Sequence, residues 1–245
     1  MNLIYAKDDE VRDAIAKDGK IKAILPIGSL EQHGRHLPLA TDTMIAEYIA
    51  SRVSERLNSL LLPPIHYGVS YEHRPLFNIS IEPKTLTALI DDICSSLLYN
   101  GVSRMIILNA HYPNNSVMEA TIRGLSPKYP NLMIASIPYW KFIGGIDHAG
   151  EKETSLILAI DGSLVDLSEI GEKGFLQESL SSVVLDSITL LAGSIPALTN
   201  TGVIGDASRS DKKKGESMLR HIIDSIVDTI NLIESVYERY LNNKR

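Results

Sequence analysis

Three short segments carry side chains able to hold or polarise a substrate. The first reads Pro26-Ile27-Gly28-Ser29-Leu30-Glu31-Gln32-His33-Gly34-Arg35-His36-Leu37-Pro38-Leu39-Ala40-Thr41-Asp42. In an extended stretch Glu31 and His33, at i and i+2, point the same way with Cα atoms about 7 Å apart. A carboxylate and an imidazole so placed can each reach one of two neighbouring cations, and Asp42 is placed to bridge them. The second segment, Asn109-Ala110-His111-Tyr112-Pro113-Asn114-Asn115, puts a histidine just before a turn. The third, Asp147-His148-Ala149-Gly150-Glu151-Lys152-Glu153, packs three further acids and a histidine into seven residues. Each segment also has an ordinary reading: Asp42 as a helix N-cap, Glu31 and His33 as a loop ion pair, Asn114 or Asn115 as a cap, the third segment as a capping box. Together they bring Glu, His, Asp, His, His and Glu to one place, the donor set of a two-metal hydrolytic centre.

The elements that must position them follow from hydrophobic periodicity. Apolar runs at Lys22–Ile27, Leu60–Ile65, Arg104–Asn109 and Leu132–Pro138 read as buried strands. Thr43–Leu57 and Lys84–Asn100 carry helical spacing, the latter closed by Gly101, and a further helix should run from Asn114 to about Leu125. Glu153–Ile160 reads as the start of another helix, and Lys212–Leu241 as a long amphipathic one whose Tyr237 and Tyr240 lie beyond the face its own core needs. Alternation of strand and helix implies an α/β fold, a mostly parallel sheet flanked by helices, in a single domain over residues 1–245. All three polar segments then leave C-terminal strand ends, where open α/β sheets bind ligands. Residues 164–210 are undecided: Val183–Leu191 and Ser194–Val203 suit either strand or buried loop.

Composition narrows the partners. With 44% hydrophobic and 22% charged residues the chain can bury a full core, and a net charge of −6 disfavours nucleic acid and anionic membranes. The run Lys212-Lys213-Lys214 is expected to be a solvated face. No apolar run approaches the ~20 residues of a membrane span, and the N-terminal residues lack the pattern of a secretory signal. The single cysteine, Cys94, falls on an apolar helix face and reads as core, so the expected compartment is the cytosol.

The three segments, in this order, resemble the creatininase (creatinine amidohydrolase) family: Gly28-Ser29-x-Glu31-Gln32-His33-Gly34-x-His36-Leu37-Pro38-Leu39 with Asp42, then Asn109-x-His111, then His148-Ala149-Gly150-Glu151-x-Glu153-Thr154-Ser155. Thr201-Gly202-Val203-x-Gly205-Asp206 followed by Lys214-Gly215 is similar to the family's C-terminal signature, so the resemblance spans roughly residues 20–240. It implies a binuclear centre of two divalent metal ions, commonly zinc and sometimes manganese or iron, and often a hexamer. Carried over, Glu31, Asp42 and His111 hold one metal; His33, Asp42 and Glu153 hold the other. His148 matches the family's proton-transfer residue, and Glu151 is placed to assist it.

The implied activity is metal-dependent hydrolysis of an amide-type C–N bond in a small molecule. Within the family such chemistry opens creatinine, removes a formyl group from an aminopyrimidine in archaeal flavin and deazaflavin biosynthesis, or cleaves a peptide precursor. One departure bears on the substrate. Creatininase proper carries a glutamate two residues after the second-segment histidine, where this chain has Pro113, and encloses its substrate with tryptophans, whereas the only one here is Trp140. The rival from another class, a non-catalytic metal-binding or oligomeric scaffold, sits poorly with an intact ligand set.

Overall fold

Five consecutive buried residues, Ala23–Ile27, form β1, apolar throughout because both faces of the strand are covered. In this computed structural model, which describes residues 1–145, 147–171 and 194–243, β1 lies inside a four-stranded parallel sheet. Its partners are β2 (Leu60–Leu61) on one side and β3 (Arg104–Asn109) on the other, with β4 (Met133–Pro138) beyond β3, giving the order β2-β1-β3-β4. Ile24 pairs with Ile106 and Ile27 with Asn109, so β1 and β3 end level with each other. The strand order reverses between these two, which opens a crevice at their C-terminal ends.

Alternation along the strands divides the core in two. Ile24, Ile106 and Leu108 face α2 (Thr41–Arg56), α5 (Glu151–Asp161) and α7 (Lys212–Asn243). Here Ile45, Ile49 and Val53 of α2 meet Leu219, Ile222, Ile226 and Ile230 of α7. Ala23, Leu25, Ile27, Met105 and Ile107 face the other way, onto α3 (Pro83–Tyr99) and α4 (Asn114–Lys128). Cys94 is buried in this second core, and its burial pushes the thiol pKa up to about 12. It is packing material rather than a nucleophile. At the opposite end of the sheet, buried Arg104 pairs with Glu234 and Glu238, and Lys22 with Glu234, pinning the last turns of α7.

Several expectations shift. The strand expected over Leu60–Ile65 shrinks to two residues because Pro63 and Pro64 withhold N–H donors from the ladder; pairing resumes only as the bridge Ile27↔Ile65. A helix not anticipated, α1 (Asp8–Lys17), lies on the second core with Val11, Ala14 and Ile15 half-buried. Of the undecided stretch, Ser194–Leu198 forms the short helix α6 and Ile204 makes an isolated bridge, while Val183–Leu191 lies outside the described residues. Tyr237 is not spare: it packs on the first core under Arg104, and Tyr240 stacks on it at 6.2 Å. Lys212, Lys213 and Lys214 are exposed, as expected of a solvated face. Among the described residues no helix is long and apolar enough to cross a membrane.

Gly215 lets α7 cross α5 at backbone contact, since a Cβ there would lie 1.8 Å from the Ser155 carbonyl oxygen. Gly215→Ala should therefore cost about 1–3 kcal/mol of stability, despite alanine's helix preference of about 1 kcal/mol. Thermal unfolding monitored by circular dichroism reads this; an unchanged or higher Tm would refute the close approach.

Candidate metal centre

The loops leaving β1, β2, β3 and β4 converge at one edge, around a cavity. Glu31 and His33 arrive from β1, Asp42 from the first turn of α2, Glu72 and His73 from the turn after β2, and His111 from the end of β3. His148 and Glu153 arrive from the loop after β4 and the start of α5. All except His148 are buried, and His148 is nearly so.

Each histidine of the cluster is held by one ring nitrogen and presents the other. His33 donates Nδ1–H to the Glu31 main-chain oxygen at 3.1 Å, leaving Nε2 3.1 Å from Asp42 Oδ1 and 3.7 Å from Glu153 Oε2. His111 donates Nε2–H to the Val69 carbonyl at 2.9 Å, leaving Nδ1 2.8 Å from Asp42 Oδ2 and 3.4 Å from Glu31 Oε1. The two oxygens of Asp42 thus face different imidazoles, each of which also faces a second carboxylate. An imidazole lone pair aimed at two carboxylates is tenable only with a cation or a proton between them. Anchoring the far nitrogen to a carbonyl is also the usual support of a metal-bound histidine. Glu31 Oε2, moreover, is buried without a hydrogen-bond partner. The donor set suits divalent cations, and these residues fall into overlapping clusters, among them Glu31, His33 and Asp42, whose ligand atoms lie within 4.8 Å of one another.

The electrostatics agree. Burial opposes charge on His33, but Asp42 and Glu153 overcome it and raise its pKa to about 10. At His111 burial is likewise overcome by Glu31 and Asp42, again to about 10. Burial would raise Asp42, yet the two imidazoles hold it far below the carboxylate range; Glu31 falls to about 2 through His111 and His73 against its own burial. Glu153 goes well up, through burial and then the neighbouring Asp42 and Asp147 outweighing His33.

His148 is positioned by the C-terminal signature. Its backbone pairs with Ile204 in both directions, at 3.0 and 2.8 Å, and its Nε2 lies 3.0 Å from the Gln32 carbonyl oxygen. The Gln32 side-chain nitrogen sits 3.0 Å from each of His73 Nδ1, His148 Nε2 and the Gly202 carbonyl. Two N–H groups cannot serve three acceptors. With His148 Nε2–H committed to the Gln32 carbonyl, the amide donates to His73 and Gly202. The Nδ1 lone pair of His148 then faces the cavity, 4.0 Å from Glu31 Oε1. Burial, and then His33 and His73, depress the His148 pKa well below that of free imidazole. Gly202 must be glycine: its φ is +74°, and a Cβ would meet the Gln32 side chain at 2.1 Å.

Some expected roles do not match. Glu151 does not line the cavity; its carboxylate pairs with Lys214 and, at 3.4 Å, Arg209, because it sits on the outer side of the first turn of α5. His36 turns aside to Thr154 Oγ1 at 2.9 Å and ties the first segment to the third. Asn114 caps nothing: it accepts from Val69 N at 3.0 Å and donates to the Gly28 carbonyl at 3.1 Å, joining two loops. Asp147, not a capping box, receives Lys152 N at 2.7 Å, and burial raises its pKa to about 6. Trp140 is core, packed at 5.7 Å on Tyr112, and it is Tyr112 that lines the cavity. Glu72, His73 and Gln32 were not foreseen; the first two follow β2 in a polar stretch, the same signal that marked the other segments.

Comparison with known proteins decides the relationship. Residues 6–230 match the family model of creatininase, creatinine amidohydrolase. The chain belongs to the creatininase family. It is with that a hydrolase acting on C–N bonds. A mycofactocin precursor peptide peptidase of Mycobacterium ulcerans (strain Agy99) is 32% identical over 84% of this chain and 83% of its own. The creatinine amidohydrolase of Pseudomonas putida is 27% identical over 86% and 89%. A solved mutant creatininase of Zn–Zn type superposes with a TM-score of 0.78 at 25% identity, covering 94% of this chain and 96% of that one.

Creatininase-family character and the raised histidine pKa values together set a pH dependence. Protons bound at about 10 on folding, against ~6.5 unfolded, contribute stability that is complete below pH ~6.5 and is lost as pH rises toward 10. Chelator-treated protein should therefore melt at least about 2–4 °C lower at pH 9 than at pH 7. A flat or rising Tm over that interval would contradict the arrangement.

Proposed function

We propose that this chain is a metal-dependent amidohydrolase that cleaves a non-peptide amide-type C–N bond, in a cyclic amide or a formamide, with two divalent cations. The observation that carries it is the division of Asp42 between His33 and His111, each facing a further carboxylate. In this reading Glu31, Asp42 and His111 hold one cation, and His33, Asp42 and Glu153 the other. Mixed imidazole and carboxylate donors suit zinc, with manganese or iron compatible. The buried lone thiol is in keeping with a cytosolic enzyme.

When bound, the cation pair supplies Lewis acidity, which polarises a carbonyl and lowers the pKa of water toward neutrality. The rest is the work of side chains. His148, neutral at rest and fixed through Nε2, takes the proton of the attacking water on Nδ1 and delivers it to the departing nitrogen. Tyr112, Ile195 and Ile204 give the cavity its apolar wall.

Protein prepared without chelator should carry close to two divalent cations per chain by elemental analysis, and chelation should abolish hydrolysis. His148→Ala should keep the metal and lose ~10²–10⁴-fold in kcat. Activity indifferent to chelator, with no metal found, would sink the mechanism.

Creatinine should be a poor substrate. Pro113 offers neither charge nor N–H where creatininase has a carboxylate, and Trp140 stands behind Tyr112 rather than against the ligand. Steady-state kinetics settles the matter: kcat/KM on creatinine should fall below ~10⁴ M⁻¹s⁻¹.

A homo-oligomer, with a hexamer as the leading candidate, is part of the same reading. Leu232, Val236 and Tyr240 form an exposed row at spacing four on α7. Light scattering should give a multiple of two or three chains; a monomer at micromolar concentration would exclude assembly without touching the chemistry.

A further inference from the structure

His73 is buried at the edge of the cavity and is not among the proposed ligands. Its ring lies between two side chains: Nδ1 is 3.0 Å from the Gln32 side-chain nitrogen, and Nε2 is 3.0 Å from Glu31 Oε1. Gln32 decides which ring nitrogen carries the hydrogen. Two main-chain groups fix that amide: Gly34 N donates to its oxygen at 3.0 Å, and its nitrogen donates to the Gly202 carbonyl at 3.0 Å. Turning the amide over would set donor against donor at Gly34 and acceptor against acceptor at Gly202. The amide nitrogen therefore faces His73, where Nδ1 can only accept. The ring hydrogen stands on Nε2, directed at Glu31.

Glu31, His73 and His148 do bring ligand atoms within 4.8 Å of one another, as a further set of metal ligands would. A ring nitrogen that bears its hydrogen has no lone pair for a cation, so His73 acts on Glu31 as a donor and not as a fellow ligand. It engages one oxygen of that carboxylate; the other, Oε2, is buried without a hydrogen-bond partner. We propose that His73 is a positioning residue for the cation on the Glu31–His111 side. Its Nε2–H fixes the Glu31 carboxylate, and its own tautomer is set through Gln32 by the main chain at Gly34 and Gly202. The C-terminal signature, 170 positions from Gln32, thus helps to aim a ligand that the first segment supplies. This rests on the two-cation reading above.

The test reads cation binding, not turnover. Wild type, His73→Leu, His73→Gln and Gln32→Met are loaded with Zn²⁺ alone. They are then titrated with chelating dyes of graded affinity, with bound zinc counted by elemental analysis. Wild type should retain two ions. His73→Leu, which removes the donor, should hold one ion about 10–100-fold more weakly and the other as wild type does. His73→Gln, which can still present an N–H to Glu31, should recover most of that affinity. Gln32→Met frees the His73 hydrogen to sit on either nitrogen and should weaken the same ion to a smaller degree. Both ions held by His73→Leu with wild-type affinity would overturn the assignment and leave the two-cation reading intact. So would a His73→Gln that loses one ion as fully as His73→Leu does. If the leucine variant folds poorly, Gln32→Met with two ions at wild-type affinity overturns the assignment by itself. A wild type that binds no zinc would overturn the two-cation reading.

Discussion

Asp42 sits between two histidines delivered by neighbouring strands, and its carboxylate is shared between them. His33 reaches one oxygen at 3.1 Å and His111 the other at 2.8 Å, with Ser29 donating to the second as well. Neither imidazole could be buried beside so many acids on its own, since a charge removed from water must be met by another at close range. The placement of Asp42 in the first turn of α2 adds the favourable end of a helix dipole. Moving α2 by one residue would separate the two halves of the centre, so the packing of Ile45, Ile49 and Val53 against the sheet has a chemical purpose as well as an energetic one.

The support beneath this contact is largely main chain. His33, His111 and His148 each pair with a backbone carbonyl, of Glu31, Val69 and Gln32 respectively. Side chains that hold side chains drift with every rotamer, whereas these rings are oriented by loops that continue paired strands. Gln32 and Asn114 then stitch loop to loop through amides able to donate and accept at once. The resulting rigidity resides in hydrogen bonds that carry no charge, which leaves the electrostatic field of the cavity to the acids and imidazoles alone.

Much of this was legible in the residues. The strands β1, β3 and β4 and the helices α2 to α5 fall within two residues of their expected bounds, except where α4 runs on to Lys128, because strong hydrophobic periodicity leaves little choice. Glu31, His33, Asp42, His111, His148 and Glu153 converge as their positions at strand ends required. What could not be read depended on distance. Glu72 and His73 look like an ordinary polar turn until β2 places them beside Glu31. Glu151 shares a helical turn with Glu153, and only the position of Lys214 across the helix pair reveals that it faces outward. Ile204 meets His148 over a span that no local pattern reports.

The two faces of the sheet differ in when they can be completed. Buried members of the α3–α4 core all lie between Ile21 and Leu132, whereas the opposite core needs α7 as far as Ile230. At a synthesis rate of 5–20 residues per second, the second face waits roughly 5–20 s for its cover after the first is finished. By then the chain already contains α2, Asp42 and both of the histidines that flank it, whereas the loop that brings His148 and Ile204 is still to come. Most of the acid-and-imidazole cluster, from Glu31 to His111, is therefore encoded in the early half of the chain, while His148 and Glu153 come with the later half.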